Sequence, residues 1–178
     1  MRSVRCFIPI SVLILAAGWL LAQIPRHDPL TPKQAQQIAE AGIDPPGRVD
    51  LFTKFLNEHA EAITKLSKRA DTPARNRLMS QSLEDFSALM DELGDNLDMY
   101  SNRKADIRKA LKPLNKAIPH WQEMLRGLPG EPGFKVARDD ALASSNDLAD
   151  QTKQLIQDQA VYFKEHKNQA GQERAEPQ

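Results

Sequence analysis

The sequence predicts an all-α fold, an antiparallel up-down four-helix bundle. Four stretches carry apolar residues at alternating steps of three and four, β-branched runs of period two are absent, and aromatic residues make up only 6% of the chain. Steps of three and four put one side chain per turn on a single helical stripe, and four such stripes can bury one another. The two remaining observations argue against a sheet, whose strands favour β-branched and aromatic residues.

The first segment, residues 1–22, stands apart from the bundle. Arg2 and Arg5 precede an apolar run from Cys6 to Ala22, the positive-then-apolar layout of a secretory signal. Small residues at Ala16-Ala17-Gly18 offer a cleavage point. The run also reaches the lower limit of about 17 residues needed to span a bilayer, so an uncleaved inner-membrane anchor through residues 6–22 is the other reading. Either way, the rest of the chain is expected outside the cytoplasm, in the periplasm or beyond. Cys6, the only cysteine, belongs to this segment, so the remainder must hold itself together by packing alone. Loss of residues 1–22 removes two arginines and no acid, leaving 22 basic against 24 acidic residues and a net charge of −2. Such balance predicts no general attraction to nucleic acid or to anionic lipid.

Residues 23–47 read as a proline-rich stalk or docking arm, with Pro25, Pro29, Pro32, Pro45 and Pro46. Only Thr31 to Ala41 can coil, with Thr31 as cap and Pro32 at the first helical position. The bundle is expected over residues 48–167, followed by a polar, aperiodic tail, residues 168–178, expected to be disordered.

The first long helix runs from about Arg48 to Arg69 on the stripe Val49, Phe52, Leu56, His59, Ile63, Leu66. Asp71 or Thr72 caps the second, with Pro73 at its first position and the stripe Met79, Leu83, Phe86, Met90, Leu93, Leu97, Tyr100. The apolar phase then continues through Lys104 to Ile107, so one uninterrupted helix also satisfies the pattern. A turn at Ser101-Asn102, with Asp106 as the next cap, is preferred because a lone long helix cannot bury both halves of its stripe. The third helix, with Ile107, Leu111, Leu114, Ile118, Trp121, Leu125 and Leu128, contains Pro113 and Pro119 and should bend or break near Ile118. The Gly- and Pro-rich loop Gly127 to Gly133 ends it; its spacing is not that of a phosphate-binding loop. The fourth helix runs from about Phe134 to His166. Two of its apolar columns, Ala141-Leu148-Leu155-Tyr162 and Leu142-Ala149-Ile156-Phe163, flank a polar seam of Ser145, Thr152, Gln159 and His166.

Three constellations could carry chemistry. First is a buried polar pocket: in an up-down bundle the first and last helices are neighbours, which would place His59 near Ser145, Thr152 and Gln159. These groups could satisfy one another and fix register, or line a ligand pocket. An enzyme using this pocket is the weakest reading, since no nucleophile and acid accompany the histidine. Second is a ridge of Asp91, Asp95 and Asp98, spaced for one helix face, with Gly94 leaving room for close approach; hard cations such as Ca²⁺ or Mg²⁺ take carboxylates of this kind. The stripe, however, turns these residues toward solvent. No Glu-x-x-His pair exists to build a di-iron bundle site, and no cofactor is expected. Third is the basic set Arg103, Lys104, Arg108, Lys109, Lys112 and Lys116, expected to pair with the acids before it or to be plainly solvated.

The run LMDELGDNLDMYSNRKADIRKALK, within Leu78 to Lys112, resembles a segment of exported all-helical bacterial proteins of no known activity. The resemblance implies a helical fold and export, and brings no site residue with it. A likeness to phosphate-uptake regulators of the PhoU type rests on a single Asp-x-x-x-Asp, Asp91 to Asp95. That family repeats the motif in both halves, and this chain does not. The functional expectation is a non-catalytic binding or scaffolding module with a protein partner in the cell envelope. A divalent-cation-binding bundle is the alternative.

Overall fold

The computed structural model describes residues 28–171. The leader at residues 1–22, the start of the arm and most of the tail lie outside that range. Among the described residues there are five α-helices, one short 3₁₀ turn and no strand. The helices are α1 (Pro32–Glu40), α2 (Pro45–Ser67), α3 (Pro73–Asn102), α4 (Arg108–Arg126) and α5 (Lys135–Glu165). No described helix is long and apolar enough to cross a membrane.

The helix starts follow the local chemistry. Thr31 and Gln34 form a reciprocal capping box: the Gln34 amide N–H donates to Thr31 Oγ1 at 3.3 Å, and the Thr31 N–H donates to Gln34 Oε1 at 2.9 Å. Thr72 caps α3 by accepting from the Arg75 N–H at 3.1 Å, with Pro73 at the first position. The first long helix begins at Pro45, earlier than expected, because two prolines at its first positions forgo only N–H groups that have no intrahelical partner.

The expected break after α3 exists. Its termination uses no glycine: Lys104 adopts the left-handed region at φ 56°, the Ala105 N–H donates to the Tyr100 carbonyl, and the Lys104 N–H donates to that of Ser101, both at 3.0 Å. This is the pattern by which helices usually end on glycine. The Lys104 ammonium lies 5.6 Å from the centre of the Tyr162 ring, an attraction that offsets part of the strain. Asp106 accepts from the Arg108 N–H at 3.3 Å, but Ile107 is the cap position, one residue beyond the expected one.

No break forms near Ile118: α4 is one element from Arg108 to Arg126. Pro113 and Pro119 are exposed, as are Lys109 and Asn115, whose carbonyls lose their intrahelical partners, so water can serve them. Ala110, Leu111, Leu114, Ile118, Trp121 and Leu125 are all buried on the other side. Continuous burial there outweighs two solvated defects.

Helix neighbours differ from the expected ring. α2 packs on α3 and α4, and α5 packs on α3 and α4, while the backbones of α2 and α5, and those of α3 and α4, lie diagonally opposite. Successive helices still reverse direction: Arg48 meets Asn96 across α2 and α3, and Gln122 meets Asn146 across α4 and α5. Across α3 and α5, however, Ser87 pairs with Ser144 and Gly94 with Gln151, so these neighbours run parallel. The four-helix body is thus two antiparallel hairpins laid side by side, joined by a diagonal crossover at Arg103 to Ile107.

The stripes form one core, with Val49, Phe52, Leu56, Ile63, Met79, Leu83, Phe86, Leu93, Leu111 and Leu114 all inside it. Trp121 meets Phe86 edge to face at 5.9 Å between ring centres and donates through Nε1 to Asn57 Oδ1 at 2.8 Å. Arg75 ties one end. Its buried guanidinium pairs with Glu131 from the α4–α5 loop, donates to the Ser67 carbonyl at the end of α2 at 3.0 Å, and stacks on Phe134 at 5.4 Å. We expect Leu93→Ala to cost about 2–5 kcal/mol in denaturant unfolding, from lost transfer energy and the cavity left, and Asp95→Ala under about 0.5 kcal/mol. Similar costs would mean that the core face is misassigned.

Candidate functional site

The polar seam of α5 is buried as expected: Ser145, Thr152 and Gln159 all lie inside. Ser145 Oγ donates to the Leu142 carbonyl of its own helix at 2.8 Å. Gln159 performs a different task. Its Nε2 donates to the Ala105 carbonyl at 2.8 Å and its Oε1 accepts from the Ile107 N–H at 3.1 Å, so one amide closes both exposed valences of the diagonal crossover. His166 caps the end of α5 and stacks on Tyr162 at 4.2 Å. Thr152 Oγ1, fully buried, has no partner. The seam is a set of structural bonds with one unsatisfied hydroxyl at its centre.

His59 does not join it. The sequence expectation placed His59 near Ser145, Thr152 and Gln159 because first and last helices were taken as neighbours, and α2 and α5 are instead on opposite corners. His59 lies half-buried on the outer side of α2, where the arm crosses. Pro29 of the arm, Asp85 of α3 and Glu58 of its own helix lie close to its ring. Burial pushes the imidazole below its ordinary value, against the opposing pull of Asp85, the Pro29 carbonyl and Glu58.

The residues around His59 line a groove of about 440 Å³ between arm and bundle. Pro29, Leu30, Pro32 and Ala62 make it mainly apolar, and Asp28, Glu58 and Asp85 add carboxylates. A concave apolar surface with a few convergent polar groups is the usual form of a binding site. The arm is therefore a docked element and not a free stalk: Leu30 and Ile38 are buried against the bundle, and Gln34 Nε2 donates to Glu58 Oε2 at 3.0 Å. Phe55, one turn before His59, is buried although it lies off the predicted stripe.

Asp91, Asp95 and Asp98 are exposed, on the solvated side to which the stripe assigned them. They face an open trough of about 550 Å³ between α3 and α5, to which Asp147 and Asp150 also contribute. The room left by Gly94 is taken by Gln151, whose Nε2 donates to the Gly94 carbonyl at 3.0 Å and to Asp98 Oδ1 at 2.6 Å. Among the described residues, no three His, Cys, Asp or Glu side chains are grouped so as to hold a metal ion.

No protein-family model, curated protein or solved structure matches the chain.

Lys109, Lys112 and Lys116 of α4 stand diagonal to the acidic ridge of α3. Arg108 instead binds Asp106 at 2.7 Å and covers Phe163 at 4.6 Å, holding the Asp106 carboxyl below its usual range. Lys109, Lys112 and Lys116 are exposed. Sequence reasoning did not connect Asp85 with His59 or Arg75 with Glu131, because only the fold brings these residues together.

Chemically, the His59 groove can exchange a proton and accept hydrogen bonds. Its one lining hydroxyl, on Thr31, is engaged by Gln34 Oε1 at 2.8 Å. Two predictions follow from these placements. Thr152→Val should leave stability unchanged or raise it by about 1 kcal/mol, whereas Gln159→Leu should cost at least about 2 kcal/mol by stranding a buried N–H and carbonyl, both read by chemical unfolding. Millimolar Ca²⁺ or Mg²⁺ should not shift the melting temperature, because binding to the folded form alone would raise it; a rise abolished by Asp95→Asn would restore the cation reading.

Proposed function

We propose that the protein is an exported, non-catalytic binding module of the cell envelope, and that it receives an extended segment of a partner protein in the groove beside His59. The observation that carries this reading is the groove itself, a mainly apolar hollow rimmed by Asp28, Glu58 and Asp85. Its size fits a few side chains of a peptide, and its carboxylates favour a segment bearing Lys or Arg near apolar residues. The arginine-flanked apolar run at residues 2–22 and the resemblance of the central run to exported helical proteins support export. Delivery to the periplasm or cell surface follows from a cleaved leader, and tethering at the inner membrane from an uncleaved one.

A photocrosslinking residue placed at Ala62, on the solvent side of the groove, should capture a partner in the native envelope. The same residue at exposed Lys112 on α4 should not. Ala62→Trp should lower that partner's recovery at least about tenfold, with the melting temperature unchanged, because a filled pocket removes binding without touching the core. Equal capture from both positions, or none from Ala62, would refute the groove as the recognition surface.

A further inference from the structure

We propose that the outward face of α4 is a docking surface for a second copy of this chain, whose α3–α5 trough receives it. Between Arg108 and Gln122 the helix contains no Asp or Glu. Lys109, Lys112 and Lys116 are exposed. At about 100° per residue they fall within about 60° of one another, directly opposite Leu114, Ile118 and Leu125 in the core. Among the described residues, neither these lysines nor Asp91 and Asp95 form an ion pair. Charge of one sign gathered on one helix face repels itself, and a surface of the opposite sign offsets that repulsion.

The complement is on the same molecule and out of its own reach. Asp91, Asp95 and Asp98 are exposed along α3, and Asp147 and Asp150 of α5 line the same open trough. Because α4 lies diagonal to α3 and turns its lysines away from the core, the two surfaces can meet only between copies. Their spacings match in reverse. From Lys116 back to Lys109 the steps are four and three residues, and from Asp91 to Asp98 they are also four and three. Each set spans about 10.5 Å of helix. An α4 laid antiparallel to the α3 of another copy therefore sets Lys116 beside Asp91, Lys112 beside Asp95 and Lys109 beside Asp98. Parallel docking would leave Lys112 one residue, about 100°, out of step with Asp95. Asp98 accepts from Gln151 through Oδ1, which leaves Oδ2 to the incoming lysine.

The contact joins two different surfaces. A copy that gives its α4 keeps its own trough open, so association continues copy by copy and does not stop at a symmetric dimer. Exposed ion pairs are individually weak and screened by salt, so the association is weak and salt-sensitive. It uses neither His59 nor the groove beside it. A photocrosslinker at Lys112 meets another copy of this chain, told from the groove's partner by a product of twice the chain's mass.

The test is sedimentation velocity of the full chain, in non-ionic detergent to cover the apolar run at residues 6–22, from about 10 μM to about 1 mM, where weak contacts register. At low salt the mean mass should rise with concentration, and at about 0.5 M salt it should return to that of one chain. Lys112→Glu and, separately, Asp95→Lys should each weaken association at least about tenfold by setting like charges together. The two substitutions in one chain restore opposite charges between copies at unchanged net charge, and should recover the association to within about threefold of wild type. Lys112→Glu with Glu84→Lys, equal in net charge but two turns away along α3, should not recover it. A single-chain mass throughout at low salt, association indifferent to Lys112→Glu, or equal recovery by both double variants would overturn the proposal. So would binding to phosphatidylglycerol vesicles that Lys112→Glu abolishes in a chain that does not self-associate, because the α4 face would then serve a lipid surface.

Discussion

The connection between α3 and α4 constrains the rest of the molecule. It joins helices at opposite corners of the bundle, so the chain must cross the bundle end with Ala105 and Ile107 buried. Backbone that leaves a helix and enters a core loses water and has no ladder to replace it. Gln159 supplies both missing partners from α5, through an acceptor to one residue and a donor to the other. A hydrophobic side chain at that position would bury as well and leave the crossover unsatisfied. Gln159 is thus the member of the seam by which the fourth long helix holds the turn between the second and third.

Diagonal placement also distributes charge. In a simple ring, the carboxylates of α3 would flank the lysines of α4 and the two sets would neutralise each other locally. Here α5 stands beside α3, and Asp147 and Asp150 add to the acids already on that side. Lys109, Lys112 and Lys116 remain on the exposed face of α4. A chain of zero formal charge therefore presents one acidic trough and a separate basic surface. Overall neutrality conceals a polar surface, since association responds to local potential as well as to net charge.

The stripes were legible because burial on one helical face is a property of each segment alone. Met79 to Tyr100 and Leu111 to Leu125 lie inside as their spacing requires. The order of helices around the core was not legible, because each stripe is compatible with any neighbour of similar shape. The end of α3 was ambiguous for a local reason: Lys104 takes the left-handed position where glycine would have announced a stop. His59 lies in a groove, but not in the company that the sequence suggested. Its partners, Pro29 and Asp85, come from a proline-rich segment and from a neighbouring helix, and no periodicity connects them.

Why the arm docks at all follows from α2. This helix buries Phe55 as well as the stripe of Phe52 and Leu56, so its apolar face is wider than the stripe alone. A large aromatic ring left facing water would forgo about 2 kcal/mol of burial. Leu30 and Ile38, the buried residues of the arm, belong to the same core cluster as Phe55. The arm is short, proline-restrained at Pro29 and Pro32, and closed by a capping box, so little conformational freedom is lost when it docks. The same economy keeps it weakly held, for two buried side chains are a small area beside a core drawn from four long helices. A polar residue placed where that small cover meets the bundle has leverage over the cover that it would not have over the core. His59 occupies that position, half-buried between Pro29 of the arm and Asp85 of α3.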